Sequence, residues 1–151
     1  MGGSSYGYDG ASNRIRQTVS GNTTNYLLDV QSGLPTILAE TTGANTKRYV
    51  HGLRGIHAQK DAAGAWSWAA QDALGNVRLE ASNALAVQAV RNFAPYLSPF
   101  GAQGTFTLPF GATGEPTDGN GLLYLRARYY NPAIGAFTAL DPFEGVMHSP
   151  M

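Results

Sequence analysis

Short stretches in which apolar and polar residues alternate, each ended by a glycine-centred break, run through the first two thirds of the chain. Examples are Thr24-Asn25-Tyr26-Leu27-Leu28-Asp29, Lys47-Arg48-Tyr49-Val50-His51 and Trp66-Ser67-Trp68-Ala69-Ala70-Gln71. They are rich in aromatic and β-branched residues, which pack well on a pleated surface, and period-two alternation sends successive side chains to opposite faces of a strand. The breaks, among them Asp9-Gly10-Ala11, Ser20-Gly21-Asn22, Thr42-Gly43-Ala44-Asn45, Ala63-Gly64-Ala65 and Leu74-Gly75-Asn76, recur at roughly ten-residue steps, the spacing of antiparallel strands joined by short turns. The pattern predicts an all-β chain built as a meander of antiparallel β-hairpins.

Alternate breaks carry a related tag: Tyr6-Gly7-Tyr8-Asp9, Tyr26-Leu27-Leu28-Asp29, Tyr49-Val50-His51-Gly52 and, in altered form, Tyr96-Leu97-Ser98-Pro99-Phe100-Gly101. A two-strand repeat of roughly twenty residues follows, with the aromatic covering the hairpin end and the Asp bonding its own backbone two residues on. The alanine-rich run EASNALAVQAV at 80–90 predicts a short helix capped by Ser82 or Asn83. The Gly/Thr/Pro-rich stretch 100–121 predicts a loop without helix. Alternation through 122–130 predicts one strand with Leu123, Leu125, Ala127 and Tyr129 on one face and Leu122, Tyr124, Arg126, Arg128 and Tyr130 on the other. On that second face guanidinium–phenol stacking would shield both arginines without acids beside them. Asn131-Pro132-Ala133-Ile134-Gly135 predicts a turn into Ala136-Phe137-Thr138, and Leu140-Asp141-Pro142 ends that strand because proline donates no ladder hydrogen bond.

Composition narrows the function classes. At 151 residues the chain is about one domain long, and 19 glycines, 8 prolines and a charged fraction of 13% describe a turn-rich chain that folds. Ten basic and ten acidic residues cancel, and Lys47-Arg48 is the longest basic run, so neither nucleic acid nor a membrane surface is an expected partner. The absence of cysteine removes disulfides, thiolate metal ligation and thiol catalysis. No stretch has membrane-spanning length, and Met1-Gly2-Gly3-Ser4-Ser5 shows no signal-peptide pattern.

The stretch GEPTDGNGLLYLRARYYNPAIGAFTALDPFEG at 114–145, with the YD-type tags upstream, resembles the RHS repeat-associated core, the ending of bacterial RHS/YD-repeat polypeptides. The matching residues are Tyr124, Arg126, Arg128, Tyr129, Tyr130, Asn131, Pro132, Gly135, Phe137, Asp141 and Pro142. The resemblance implies YD-type hairpin repeats over 1–101 and a core motif over 102–151, in one continuous unit that forms a curved sheet or part of a β-spiral shell. It also implies a structural role: a hollow shell of hairpins, secreted or at the cell surface as part of a parent protein, enclosing a C-terminal toxin. Partners are then the neighbouring repeats and the toxin. Related arrays occur in insecticidal toxin complexes and adhesion proteins.

Many members of that family free their cargo by aspartate-dependent self-cleavage, and Asp141 matches one such position. Here Leu140 stands where cleaving members often have arginine, Glu144 interrupts the usual Asp-Pro-x-Gly, and VMHSPM stands in place of the second Asp-Pro turn. Asp141 is therefore expected to be a turn former in a chain that ends early and does not cleave itself. Trp66 and Trp68, on one strand face and together with Tyr49, offer a sugar-stacking platform as an alternative role in adhesion. His51, His57 and His148 are too scattered for a zinc pattern even with Asp61, no Gly-x-Ser-x-Gly elbow supports a serine triad, and Asp118-Gly119-Asn120-Gly121 reads as overlapping turns before it reads as a calcium loop. No metal, cofactor or catalytic residue is expected. An excised array leaves strand edges unpaired, so self-association is expected.

Overall fold

The computed structural model describes residues 3–31 and 33–141. Ten strands form one antiparallel sheet in strictly sequential order. They are Ser4–Tyr8 (β1), Arg14–Val19 (β2), Asn22–Asp29 (β3), Thr36–Thr42 (β4), Asn45–Gly52 (β5), Gly55–Lys60 (β6), Trp66–Gln71 (β7), Val77–Ser82 (β8), Val87–Phe93 (β9) and Pro99–Gly104 (β10). A second, three-stranded antiparallel sheet follows: Leu123–Leu125 (β11), Arg128–Asn131 (β12) and Ala136–Phe137 (β13). The hairpin meander read from the sequence is the observed fold. Among the described residues no strand pairs with the outer edge of β1 or of β10.

One turn geometry recurs. At 9–13, 61–65, 72–76, 82–86, 94–98, 111–115 and 118–122, the first residue's N–H donates to the carbonyl four residues on, and the fourth residue's N–H donates back to the first carbonyl. The fourth residue takes positive φ each time: Ser12, Gly64, Gly75, Leu85, Leu97, Gly114 and Gly121. This is the hairpin loop that ends in a left-handed residue, and it explains why a glycine punctuates so many strands. The aspartates of the tags act as expected: the Asp9 carboxylate accepts from the N–H groups of Ala11 and Asn13 and that of Asp29 from Gln31 N–H, while Asp72, outside the tags, does the same for Leu74 and Asn76. Shorter links use the tight hairpin turns, with Ser20 and Gly21 both at positive φ and Gly43 at φ 58°. Gly104 is required for a different reason: at φ 73° a Cβ there would sit 2.0 Å from the Gln88 carbonyl oxygen on the paired strand.

After β10 the chain runs back across one face of the sheet, which is the inner face. Phe106, Leu108 and Phe110 of this crossing segment (105–122) pack on Tyr26, Leu28, Ile37, Tyr49, Ile56, Ala69 and Val77, and these residues form the core. A single 3-10 turn, Ala112–Gly114, lies within it. The segment ends in two bridges, Phe110 to Pro116 and Thr117 to Leu123, which lead into β11.

Three local expectations are corrected. The run at 80–90 is a hairpin and not a helix: Ser82 opens the β8–β9 turn and its hydroxyl accepts from Ala86 N–H, while fully buried Glu80 and nearly buried Ala89 pair across the sheet. Inner-face burial overrides the helix preference of the alanines. The stretch 122–130 is likewise a hairpin, pairing Leu123 with Tyr130, Tyr124 with Tyr129 and Leu125 with Arg128 around a turn at Arg126-Ala127. Tyr124 therefore shares a face with Tyr129, and neither Arg126 nor Arg128 stacks between tyrosines as expected. Finally, the loop read at 100–121 begins inside β10.

Candidate functional site

The inner face carries a series of polar anchors that hold the crossing segment down, and each joins a sheet residue to a residue far along the chain. Near the β10 end, Glu80 of β8 is fully buried. Its carboxylate accepts from Thr107 N–H (2.7 Å), Leu108 N–H (3.2 Å) and the Thr107 hydroxyl, which in turn accepts from Gln59 Nε2 at 2.8 Å. An acid with this many donors is stable in a dry interior because each oxygen is satisfied. Beside it, Arg91 of β9 donates through Nε to the Val77 carbonyl and through Nη2 to the Phe110 carbonyl, with its guanidinium 3.9 Å from the Phe106 ring centroid. Burial pushes the Arg91 pKa down, opposed by the negative charge of Glu80. Next along, Asn76 Oδ1 accepts from Thr113 N–H at 2.8 Å.

At the β1 end lies an arginine knot. Arg14, at the start of β2, is 2% exposed. Its Nη1 donates to Asp118 Oδ2 at 2.5 Å and to the Tyr129 hydroxyl at 3.2 Å, and its backbone N–H donates to the Tyr124 hydroxyl. Among the described residues Nε and Nη2 have no hydrogen-bond acceptor. They are covered by ring faces: the guanidinium carbon lies 4.0 Å from the Tyr124 centroid and within 6 Å of those of Tyr6, Tyr26 and Tyr129. Burial alone would lower the Arg14 pKa, but the hydrogen bond and charge of Asp118 outweigh it and the guanidinium stays firmly charged. The same burial pushes the Tyr26 hydroxyl up to about 12. Asp118 belongs to the Asp-Gly-Asn-Gly stretch, whose overlapping turns are present, and its carboxylate is spent on Arg14.

The arginine–tyrosine motif is divided between anchors. Arg126, at φ 58°, donates through Nη1 to Glu115 Oε1 at 2.7 Å and through Nε to the Pro35 carbonyl, tying the β11–β12 turn to the β3–β4 loop. Arg128 lies 3.7 Å from the Phe137 centroid and pairs with Asp141 at 2.8 Å. Both arginines thus have acids beside them, contrary to expectation, because the hairpin turns them toward different neighbours. Tyr130 donates to the Tyr96 carbonyl in the β9–β10 turn, while the Tyr129 hydroxyl lies 3.4 Å from that of Tyr8 on β1. The small sheet therefore touches both ends of the large one. The Asn-Pro turn forms as read, with Asn131 Oδ1 accepting from Ala133 N–H and Gly135 at φ 66°. Pro142 and His148 lie outside the described residues.

Trp66 and Trp68 share the outer face of β7, opposite core-packed Ala69, with rings 6.0 Å apart and 20° from parallel. Tyr49 is not with them. It is buried on the inner face, edge-on to Phe110 at 4.9 Å. His51 and Asp61 stand at opposite ends of β6 and do not converge: His51 donates from Nε2 to the Ile37 carbonyl at 2.9 Å, and Asp61 accepts from Ala65 N–H. Among the described residues no group of three metal-ligating side chains comes together.

Burial holds the His51 pKa below its ordinary 6.5, with the Ile37 hydrogen bond pulling the other way. Between the lowered folded value and 6.5 the unfolded chain binds more protons, so stability is lost as pH falls through that window. We expect a lower urea midpoint at pH 5 than at pH 7.5, with the difference shrinking in His51→Gln; an unchanged difference would place the effect elsewhere.

The fold and these anchors define a β-hairpin array whose own C-terminal segment is bound across its inner face. No protein-family model matches the chain. The tRNA3(Ser)-specific nuclease WapA of Bacillus spizizenii is 32% identical over 146 residues, and the tRNA nuclease WapA of Bacillus subtilis strain 168 is 32% identical over 165 residues. Each match takes in 93% of this chain but 6% of the relative, so the chain spans a small part of the curated proteins it matches. Among solved structures, the crystal structure of TcdB2-TccC3 aligns over 92% of this chain and 8% of that one, with TM-score 0.68 and 16% identity. The Photorhabdus luminescens Tc holotoxin pore aligns over 93% and 8%, with TM-score 0.67 and 16% identity. The chain shares its fold with part of these toxin proteins, and that fold is consistent with the RHS/YD β-sheet family that its sequence resembles.

Sequence reading missed Arg14, Glu80 and Arg91. The residues beyond β10 that each of them holds, Asp118, Thr107 and Phe110, lie 19 or more positions away. The one available signal was a charged residue at an inward position of an otherwise apolar face.

Proposed function

We propose that this chain is a non-catalytic wall segment of a secreted or cell-surface RHS-type polypeptide, which closes its hairpin shell around a C-terminal toxin. The observation that carries the reading is the crossing segment fastened to the inner face by Glu80, Arg91 and Arg14. Such anchors turn an open meander into a closed wall, since hairpins gain stability only from what packs against them. The nuclease activity in the relatives' names belongs to those whole proteins, and this chain supplies scaffold. Asp141 pairs with Arg128 at 2.8 Å, and this reading gives it a structural role at the end of the small sheet.

Incubation of the purified chain with tRNA, and separately at mildly acidic pH, tests this: intact tRNA and a single intact mass are expected. Cleaved tRNA or an Asp141-dependent fragment would refute a purely structural role. In the parent polypeptide, deletion of 105–141 should make the toxin protease-sensitive; equal resistance with and without that segment would refute closure.

The near-parallel pair of half-buried Trp66 and exposed Trp68 favours a second reading, glycan adhesion through the outer face. Saccharide binding on a glycan array that Trp68→Ala abolishes would support it.

A further inference from the structure

Between the inner face of β3–β5 and the crossing segment lies a cavity of about 160 Å³. Leu28, Ile37 and Phe110 supply apolar wall, and the volume is close to the roughly 150 Å³ of a cavity that holds one benzene ring. Three arginines also line it. The charge of Arg14 is met by Asp118 and that of Arg126 by Glu115, the one acid on the wall among the described residues. Arg54, exposed in the β5–β6 turn, has no ion pair or hydrogen bond among the described residues, so one positive charge stands unneutralised at the mouth. Arg126 adds donor capacity there: its Nε and Nη1 are engaged, and its Nη2 has no acceptor among the described residues.

We infer that this cavity binds a small apolar monocarboxylate, with the ring or aliphatic body between Leu28, Ile37 and Phe110 and the carboxylate on Arg54 and Nη2 of Arg126. A guanidinium suits this role because its planar fork matches carboxylate geometry. The same chemistry is offered by a free organic acid and by the terminal residue of a peptide. Neither the wall reading nor its failure alters the site, which depends only on the cavity and its unneutralised charge.

The test is titration of the full chain with benzoate, N-acetylphenylalanine and benzyl alcohol, followed by amide NMR at Gly55 and ring signals of His51. Saturable shifts are expected with at least one of the two carboxylates, with no saturation by benzyl alcohol. The Arg54→Gln variant, altered only at an exposed turn, should bind about tenfold or more weakly, the scale of one charge-assisted hydrogen bond. Tighter benzoate binding assigns a free acid, and tighter N-acetylphenylalanine binding assigns a peptide terminus. Silence with both carboxylates, equal binding of benzyl alcohol, or undiminished binding by Arg54→Gln overturns the proposal.

Discussion

Arg14→Met should destabilise the chain by about 3–5 kcal/mol, the cost of leaving a buried charge without its partner. The Asp118 side chain is 3% exposed and its ion partner is Arg14. Once the guanidinium is gone, the carboxylate must hold its charge in a dry pocket or take up a proton. Tyr6, Tyr26, Tyr124 and Tyr129 lose their shared cation in the same step. The double variant Arg14→Met/Asp118→Leu should recover part of the loss, because removing both charges is far less costly than stranding one. Urea denaturation of the two variants checks this. A loss below about 1 kcal/mol in the single variant would mean that the knot contributes little beyond an exposed ion pair.

Glu80→Ala is expected to cost about 3 kcal/mol or more, and locally more than globally. The substitution strands two backbone N–H groups and the Thr107 hydroxyl, and each buried donor left unsatisfied costs about 1–3 kcal/mol unless water reaches it. Water reaches them by lifting the crossing segment, so the cheapest response is local opening. Hydrogen exchange should therefore accelerate at Thr107 and Leu108 beyond the change in global stability, while amides in β2 and β3 follow the global value. Glu80→Gln keeps one acceptor oxygen and should fall between wild type and Glu80→Ala. Uniform acceleration at all amides would show that the segment and sheet open as one unit.

Both variants probe the residues that reading along the chain did not find. The strands were legible because their cause is local: alternation in Trp66 to Gln71, and aspartate or glycine at the 72–76 turn, set backbone conformation within a few residues. Where the local signal failed, a turn had been built without its usual residues. Leu85 and Arg126 adopt positive φ, a conformation the sequence announces only through glycine, asparagine or aspartate, so 80–90 resembled a helix and 122–130 a single strand. Arg126 holds that geometry through Glu115 and Pro35, and Pro35 lies 91 positions earlier.

The all-β class, the hairpin cadence and the places where most turns fall were readable along the chain, since these rest on side-chain period and on backbone freedom at single residues. Long-range packing set which face is inner, brought residues 105–122 back across it, and joined Arg14 to Asp118 and a ring of tyrosines. The reason is physical: a lone arginine or glutamate in a strand is equally compatible with solvent and with burial. The choice depends on whether a partner from the far end of the chain arrives to satisfy its charge.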